Sequence, residues 1–186
     1  MKAISTIHGA LLGGALLLAG GAAPASDFDR AMEPILSGYL AIHEALASDT
    51  TEGVGGAVET IATAARRLDP AQAEGEQAQH YEHISLEIVS ACERLRDADD
   101  IEAAREAFKE LSKPISAWVE AARPEGASVM YCPMAKAGWV QRGAAVANPY
   151  YGAQMLGCGE RAGGEHDCGE HGCREHEHGE HRSDKP

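Results

Sequence analysis

The sequence predicts an all-α protein: an up-and-down four-helix bundle, then an irregular Cys/Met-bearing C-terminal segment and a disordered His/Cys-rich tail. Three observations predict it. Apolar residues recur at spacings of three and four between Met32 and Ala122, the stripe of helices that bury one face. The connections between stripes are short and hold cap and breaker residues, which makes successive helices antiparallel neighbours. From Gly164 onward the chain has no apolar residue except cysteine, so burial there cannot offset the entropy of ordering.

The first helix carries Met32, Ile35, Leu36, Tyr39, Ile42, His43 and Leu46 on one stripe. Pro34 places the start of its regular part near Glu33. Asp49 with Glu52 reads as a capping pair for a second helix, whose inward positions are Val58, Ile61, Ala65 and Leu68. Asp69-Pro70-Ala71-Gln72 offers a cap residue, then a proline at the first helical position, and so opens the third helix. Its stripe is Ala78, Tyr81, Ile84, Ile88, Cys92 and Leu95, with Cys92 expected as a small buried apolar residue. Asp99 with Glu102 opens the fourth, where Ile101, Ala104, Phe108, Leu111, Ile115, Trp118 and Ala122 recur. Pro114 is expected to kink that helix, and Arg123-Pro124-Glu125-Gly126 stops it.

Residues 127–159 then read as an irregular segment with Pro133, Pro149 and several glycines, pinned to the bundle by Trp139, Tyr150 and Tyr151. A structureless stretch of that length in a compact domain usually has a function. The N-terminus reads as a secretory signal: Lys2 in the n-region, an apolar run from Ala10 to Ala19, and a small-residue site at Ala23-Pro24-Ala25. The expected division is therefore a signal peptide over 1–25, a helical domain over 26–159 and a tail over 160–186. Export to a bacterial periplasm follows, with no later run apolar enough for stable membrane insertion.

The formal net charge is −13. That sign excludes nucleic acid as a partner, because its binding rests on Lys and Arg neutralising phosphates. Cations are attracted instead. Enzyme signatures are absent: there is no Gly-x-Ser-x-Gly, no His-Glu-x-x-His and no phosphate-binding glycine loop. The protein is expected not to be an enzyme.

Metal chemistry is the stronger signal. In the tail His166, His171, His176 and His181 recur every five residues, each after a Glu, with Cys168, Cys173 and His178 two residues behind the first three. Five matches neither the helical period of about 3.6 nor the strand period of about 2. Imidazole, thiolate and carboxylate on a flexible backbone suit borderline or soft cations, copper, zinc or nickel among them. The plainer alternative is a charged solubilising tail. In the segment before it, Tyr131-Cys132-Pro133-Met134 and Met155-Leu156-Gly157-Cys158 bring thiolate and thioether donors together, a set that favours Cu(I). The spacing is not that of a zinc finger. Cys132 and Cys158 equally suit a disulfide in an exported chain, worth about 3–4 kcal/mol by loop entropy, with Met134 and Met155 as packing residues. Residue types alone leave those two readings open.

His80 and His83 lie a turn apart on the expected third helix with Glu76 and Glu87, a stripe that reads first as a solvated polar face. His43 reads as a buried, hydrogen-bonded core histidine that approaches the Cys-Met segment if that segment packs over the bundle.

The Tyr39-Leu40…Ala45-Leu46…Asp49 opening, the Phe108…Leu111-Ser112 stretch and above all YCPMAKAGWVQ…NPYYG…MLGCGE resemble a bacterial family of exported domains of unknown function. The resemblance spans roughly residues 30–160. Similar domains stand beside the periplasmic adaptor subunits of copper- and silver-efflux systems. The resemblance implies an α-helical domain in a heavy-metal context, with an efflux adaptor or metallochaperone as partner. It also makes Cys132, Met134, Met155 and Cys158 the preferred ligands; the repeated tail lies outside it. The expected function is soft-metal sequestration or delivery. The alternative is a non-metal interaction module beside an efflux system, fixed by a Cys132–Cys158 disulfide.

Overall fold

A computed structural model describes residues 26–73, 79 and 81–162. The expected signal segment, His80, and all the tail residues from His166 to His181 lie outside the described residues. Among the described residues there are four α-helices, α1 (Asp27–Ala47), α2 (Val54–Ala65), α3 (Ile84–Arg96) and α4 (Ile101–Ala122). They are followed by three strands, β1 (Ala127–Cys132), β2 (Ala137–Arg142) and β3 (Glu160–Arg161), in one antiparallel sheet ordered β2-β1-β3. The all-α expectation is therefore wrong, and the fold is mixed α/β. The first half of the segment expected to be irregular, residues 127–142, is a hairpin, and a third strand just beyond the segment lies on its open edge. Glu160 and Arg161, expected to begin the tail, are that strand.

The helices diverge from expectation mainly at their ends. α1 starts at Asp27, six residues before Glu33, and runs through Pro34. Ser26 caps it: its hydroxyl accepts from Asp29 N–H (3.0 Å), and Asp29 returns a bond to the Ser26 N–H (3.2 Å). The capping box and the burial of Phe28 against Tyr81, rings stacked at 5.0 Å, outweigh the single ladder bond that Pro34 removes. α2 has no side-chain cap and opens from Gly53. Asp69 does accept from Ala71 N–H (3.1 Å), but that turn stops at an extended Ala73 and α3 begins only at Ile84. Residues 74–78, with Glu76 and Ala78 of the expected third helix, lie outside the described residues. His83 flanks α3 as its N-cap residue, outside the helix proper. The cap of α4 is Asp100, one residue later than expected, accepting from Ala103 N–H (2.8 Å). Pro114 is buried inside α4, which continues past it to Ala122.

Each helix packs on the next in sequence, and the sheet lies against α4 and the middle of α1. The core is continuous from Phe28, Met32 and Ile35 through Ile61, Ile88, Phe108 and Trp118 to Trp139 and Val140. Gly38 lets α2 approach α1: a Cβ there would lie 2.7 Å from Ile61. Cys92 is buried among these side chains as expected, and burial pushes its thiol up to about 11. Among the described residues no helix is long and apolar enough to cross a membrane.

Polar atoms join the sheet to the helices. Val140 N–H donates to the Tyr39 hydroxyl (3.0 Å), which lies 2.8 Å from Ser112 Oγ, and Ser112 donates to the Phe108 carbonyl (2.8 Å). The Tyr150 hydroxyl donates to the Gly138 carbonyl beside them. Burial pushes the Tyr39 and Tyr150 phenols well above their ordinary range, so both keep their protons and remain donors. Tyr39→Phe deletes the acceptor of the Val140 N–H and the partner of Ser112. A buried donor left unpaired costs about 1–3 kcal/mol. The expected outcome is an unfolding free energy lowered by that amount, read as a lower urea midpoint with an unchanged slope.

Candidate metal centre

The register of the sheet creates the site. β1 points Ser128, Met130 and Cys132 toward the interior, with Val129 and Tyr131 less buried between them. Cys132 pairs with Ala137 across a four-residue turn, and β3 pairs on the other edge of β1 as Tyr131 with Glu160 and Met130 with Arg161. Continuing that antiparallel register carries Cys158 past the end of β1, alongside Cys132. The two Sγ atoms stand 3.5 Å apart, both as free thiols. Cys132 is fully buried and Cys158 half-buried.

The two sulfurs are not equivalent. The tight turn after Cys132 aims backbone N–H groups at its sulfur, with Ala135 N at 3.4 Å. Burial pushes the Cys132 thiol up. The donors at its sulfur (the Ala135 N–H, the Cys158 thiol, the Asn148 side chain and the Met134 N–H) more than offset that and hold it below the ordinary thiol range. Cys158 is pushed up, first by the bond it gives to Cys132 and then by burial. The donors thus converge on Cys132, whose thiol is held lower than that of Cys158.

Met134 lies in the turn after Cys132 with an exposed side chain, and Met155 lies half-buried in the turn before Cys158, its carbonyl accepting the Cys158 N–H (2.9 Å). The four candidate ligands therefore occupy two turns that meet at the sulfurs. Among the described residues no three His, Cys, Asp or Glu side chains converge, so the thiols are the nucleus of any site here. Two thiols with neighbouring thioethers can hold a soft, low-coordinate ion, and the half-buried Cys158 leaves a way in. They can also close as a disulfide.

The 148–158 loop is held by Asn148, Arg105 and Asp49, to none of which the sequence reading gave this role. Asn148 is fully buried and spans the loop mouth. Arg105, buried on α4, donates to the carbonyls of Pro149 and Leu46 (3.0 Å each) and to Asp49 Oδ1 (2.5 Å). Asp49, expected as a helix cap, instead accepts the Ala153 N–H (2.9 Å) and holds the loop from below. That bond first, and Arg105 second, lower its carboxyl pKa. Gly152 sits over the pair at φ +52, where a Cβ would overlap the Asp49 carboxylate. A signal for Arg105 and Ser112 was present: Ile101, Arg105, Phe108, Ser112 and Ile115 are spaced four, three, four and three, so both polar residues sit on the apolar stripe. A signal for β1 was present too, in the alternation of Ser128, Met130 and Cys132 between Gly126 and Pro133.

His43 is buried as expected, with Nε2 2.8 Å from the Ala147 carbonyl, which must accept. It reaches the Cys-Met segment through the backbone and anchors the entry to the loop. Burial lowers its pKa, against the opposing pull of the Ala147 carbonyl and Glu44. The unfolded chain therefore binds a proton there before the folded one does, and stability rises with pH. The contribution is complete above the unfolded value of about 6.5 and is lost as pH falls below it. The urea midpoint measured from pH 8 to pH 5 is expected to fall more steeply for the wild type than for His43→Gln, in which the other histidines are unchanged.

No curated protein and no solved structure matches the chain. Residues 35–126 match the model of the family described as "Protein of unknown function (DUF3347)", from Ile35 in α1 to the end of the loop after α4, and this match identifies a domain of unknown function in the chain.

Proposed function

We propose that the protein binds a soft heavy metal, copper above all, for sequestration or delivery in metal resistance. The observation that carries this reading is the Cys132–Cys158 pair, 3.5 Å apart, with backbone N–H donors at the inner sulfur and Met134 and Met155 in the same two turns. Amide donors at the inner sulfur favour its deprotonated form, the form that ligates a metal. Cys132 and Cys158, with Met134 or Met155, hold Cu(I). The tail residues His166, Cys168, His171, Cys173, His176, His178 and His181 collect copper, zinc or nickel with lower selectivity. The surrounding glutamates raise the local cation concentration. The signal-like N-terminal sequence supports a periplasmic setting for this function, and the resemblance to domains beside copper- and silver-efflux adaptors suggests an adaptor or metallochaperone as the partner. The protein performs no catalysis in this reading.

The same sulfur spacing favours a second reading, in which a Cys132–Cys158 disulfide fixes the segment as a surface for another protein and no metal is held. Competition titrations of Cu(I), Cu(II), Zn and Ni on reduced full-length protein separate the two. They are run beside a variant with Cys168→Ser, Cys173→Ser and the tail histidines changed to Asn. Tight Cu(I) binding is expected to survive in that variant. It is expected to weaken on adding Cys132→Ser and Cys158→Ser by more than the roughly 10–100-fold that loss of a supporting partner costs. Unchanged Cu(I) affinity after the second pair of changes overturns the core site. Tail binding is expected to weaken as pH falls through the imidazole range, because protonated histidine cannot ligate.

A further inference from the structure

We infer that Asn148 is the positioning residue of the Cys132–Cys158 pair, its side-chain amide clamping the Cys158 carbonyl so that the two sulfurs face each other. This rests on the reading of the two cysteines as a ligand pair. Asn148 is fully buried, and each of its polar groups has a defined task. Its Nδ2 donates to the Cys158 carbonyl (2.7 Å), and its Oδ1 accepts from Tyr150 N–H (2.9 Å). Its own N–H donates to the Leu156 carbonyl (2.8 Å), and its carbonyl accepts from Gly152 N–H (3.2 Å). One planar group thus ties the Cys158 backbone to the opening of the loop that carries it.

Only asparagine suits this position. The Tyr150 N–H needs an acceptor and the Cys158 carbonyl needs a donor, which fixes the orientation of the amide. Aspartate supplies no donor, serine is too short to span both partners, and glutamine adds a methylene to a fully packed site. The remaining local restraint on Cys158 is the bond from its N–H to the Met155 carbonyl (2.9 Å) within its own turn. Without the clamp, the sulfur would have to be brought back to Cys132 against the closure entropy of the 148–158 loop.

The test measures sulfur proximity without metal. Full-length protein carrying Cys168→Ser and Cys173→Ser is equilibrated with glutathione buffers. Two protein thiols and one oxidised glutathione give one protein disulfide and two reduced glutathiones, so the equilibrium constant reads the effective concentration of one sulfur at the other. Asn148→Asp keeps the acceptor for Tyr150 N–H and removes the donor to Cys158. Its effective concentration is expected to fall by about tenfold or more, the consequence of losing one buried hydrogen bond. Cu(I) affinity is expected to fall with it. Ser112→Ala, which weakens the attachment of the sheet elsewhere, is expected to leave the effective concentration within about twofold at comparable loss of stability.

A folded Asn148→Asp protein with wild-type effective concentration overturns the clamp. Should that variant not fold, exchange of the Asn148 side-chain amide protons with solvent in the unsubstituted protein decides. Slow exchange supports the clamp, and exchange as fast as that of a free amide overturns it. The two readings fail separately. Loss of effective concentration in a protein whose wild type holds no Cu(I) leaves the clamp standing and removes the metal. Unchanged effective concentration with tight Cu(I) binding does the reverse.

Discussion

The buried hydroxyl of Tyr39 is the contact on which the rest of the structure depends. It accepts from the backbone of β2 and meets Ser112 of α4, so three elements distant in sequence share one polar atom. Buried polar groups are costly unless paired, and this arrangement pairs them only when the hairpin lies in one place on the helices. Tyr150 repeats the device from the 148–158 loop by bonding the Gly138 carbonyl, and its ring meets Trp139 edge-on at 5.9 Å. Apolar contact alone would let the small sheet slide. The hydroxyls give it a register.

That register is carried on to the sulfurs. β1 delivers Cys132 buried at its end, and β3 returns the chain along the other edge of β1 so that Cys158 arrives beside it. The loop before Cys158 is fastened at several points: His43 at its entry, Arg105 and Asp49 beneath it and Asn148 across its mouth. The rigid elements thus hold Cys132 while fastened backbone holds Cys158, and the half-buried sulfur is the one nearer solvent. Such an asymmetry suits a site in which one ligand stays set and the other admits or releases an ion.

Much of the chain was legible from its own pattern. The stripes of α1, α2, α3 and α4, the burial of Cys92 and the hydrogen-bonded burial of His43 follow from local periodicity. A helical residue's exposure is fixed by its place on its own helix. The boundaries were less legible: Asp49 looks like a cap by residue type while its tertiary partners Arg105 and Ala153 take its carboxylate, and Asp69 does cap, but only a short turn. The strands were missed for a related reason. β1 alternates over only six residues, β2 does not alternate in burial and β3 has two residues, while Pro133 with the flanking glycines reads equally as loop chemistry.

The sequence by itself determined four helices, an apolar core along them and a C-terminal segment rich in soft donors. Only the tertiary structure decided that this segment is a sheet, that Cys132 and Cys158 meet, and that Asn148, Arg105 and Asp49 hold them there. Helix stripes are written in neighbours three and four residues apart. A strand pairing between residues 130 and 161 depends on backbone bonds between distant segments, which residue types along the chain do not encode.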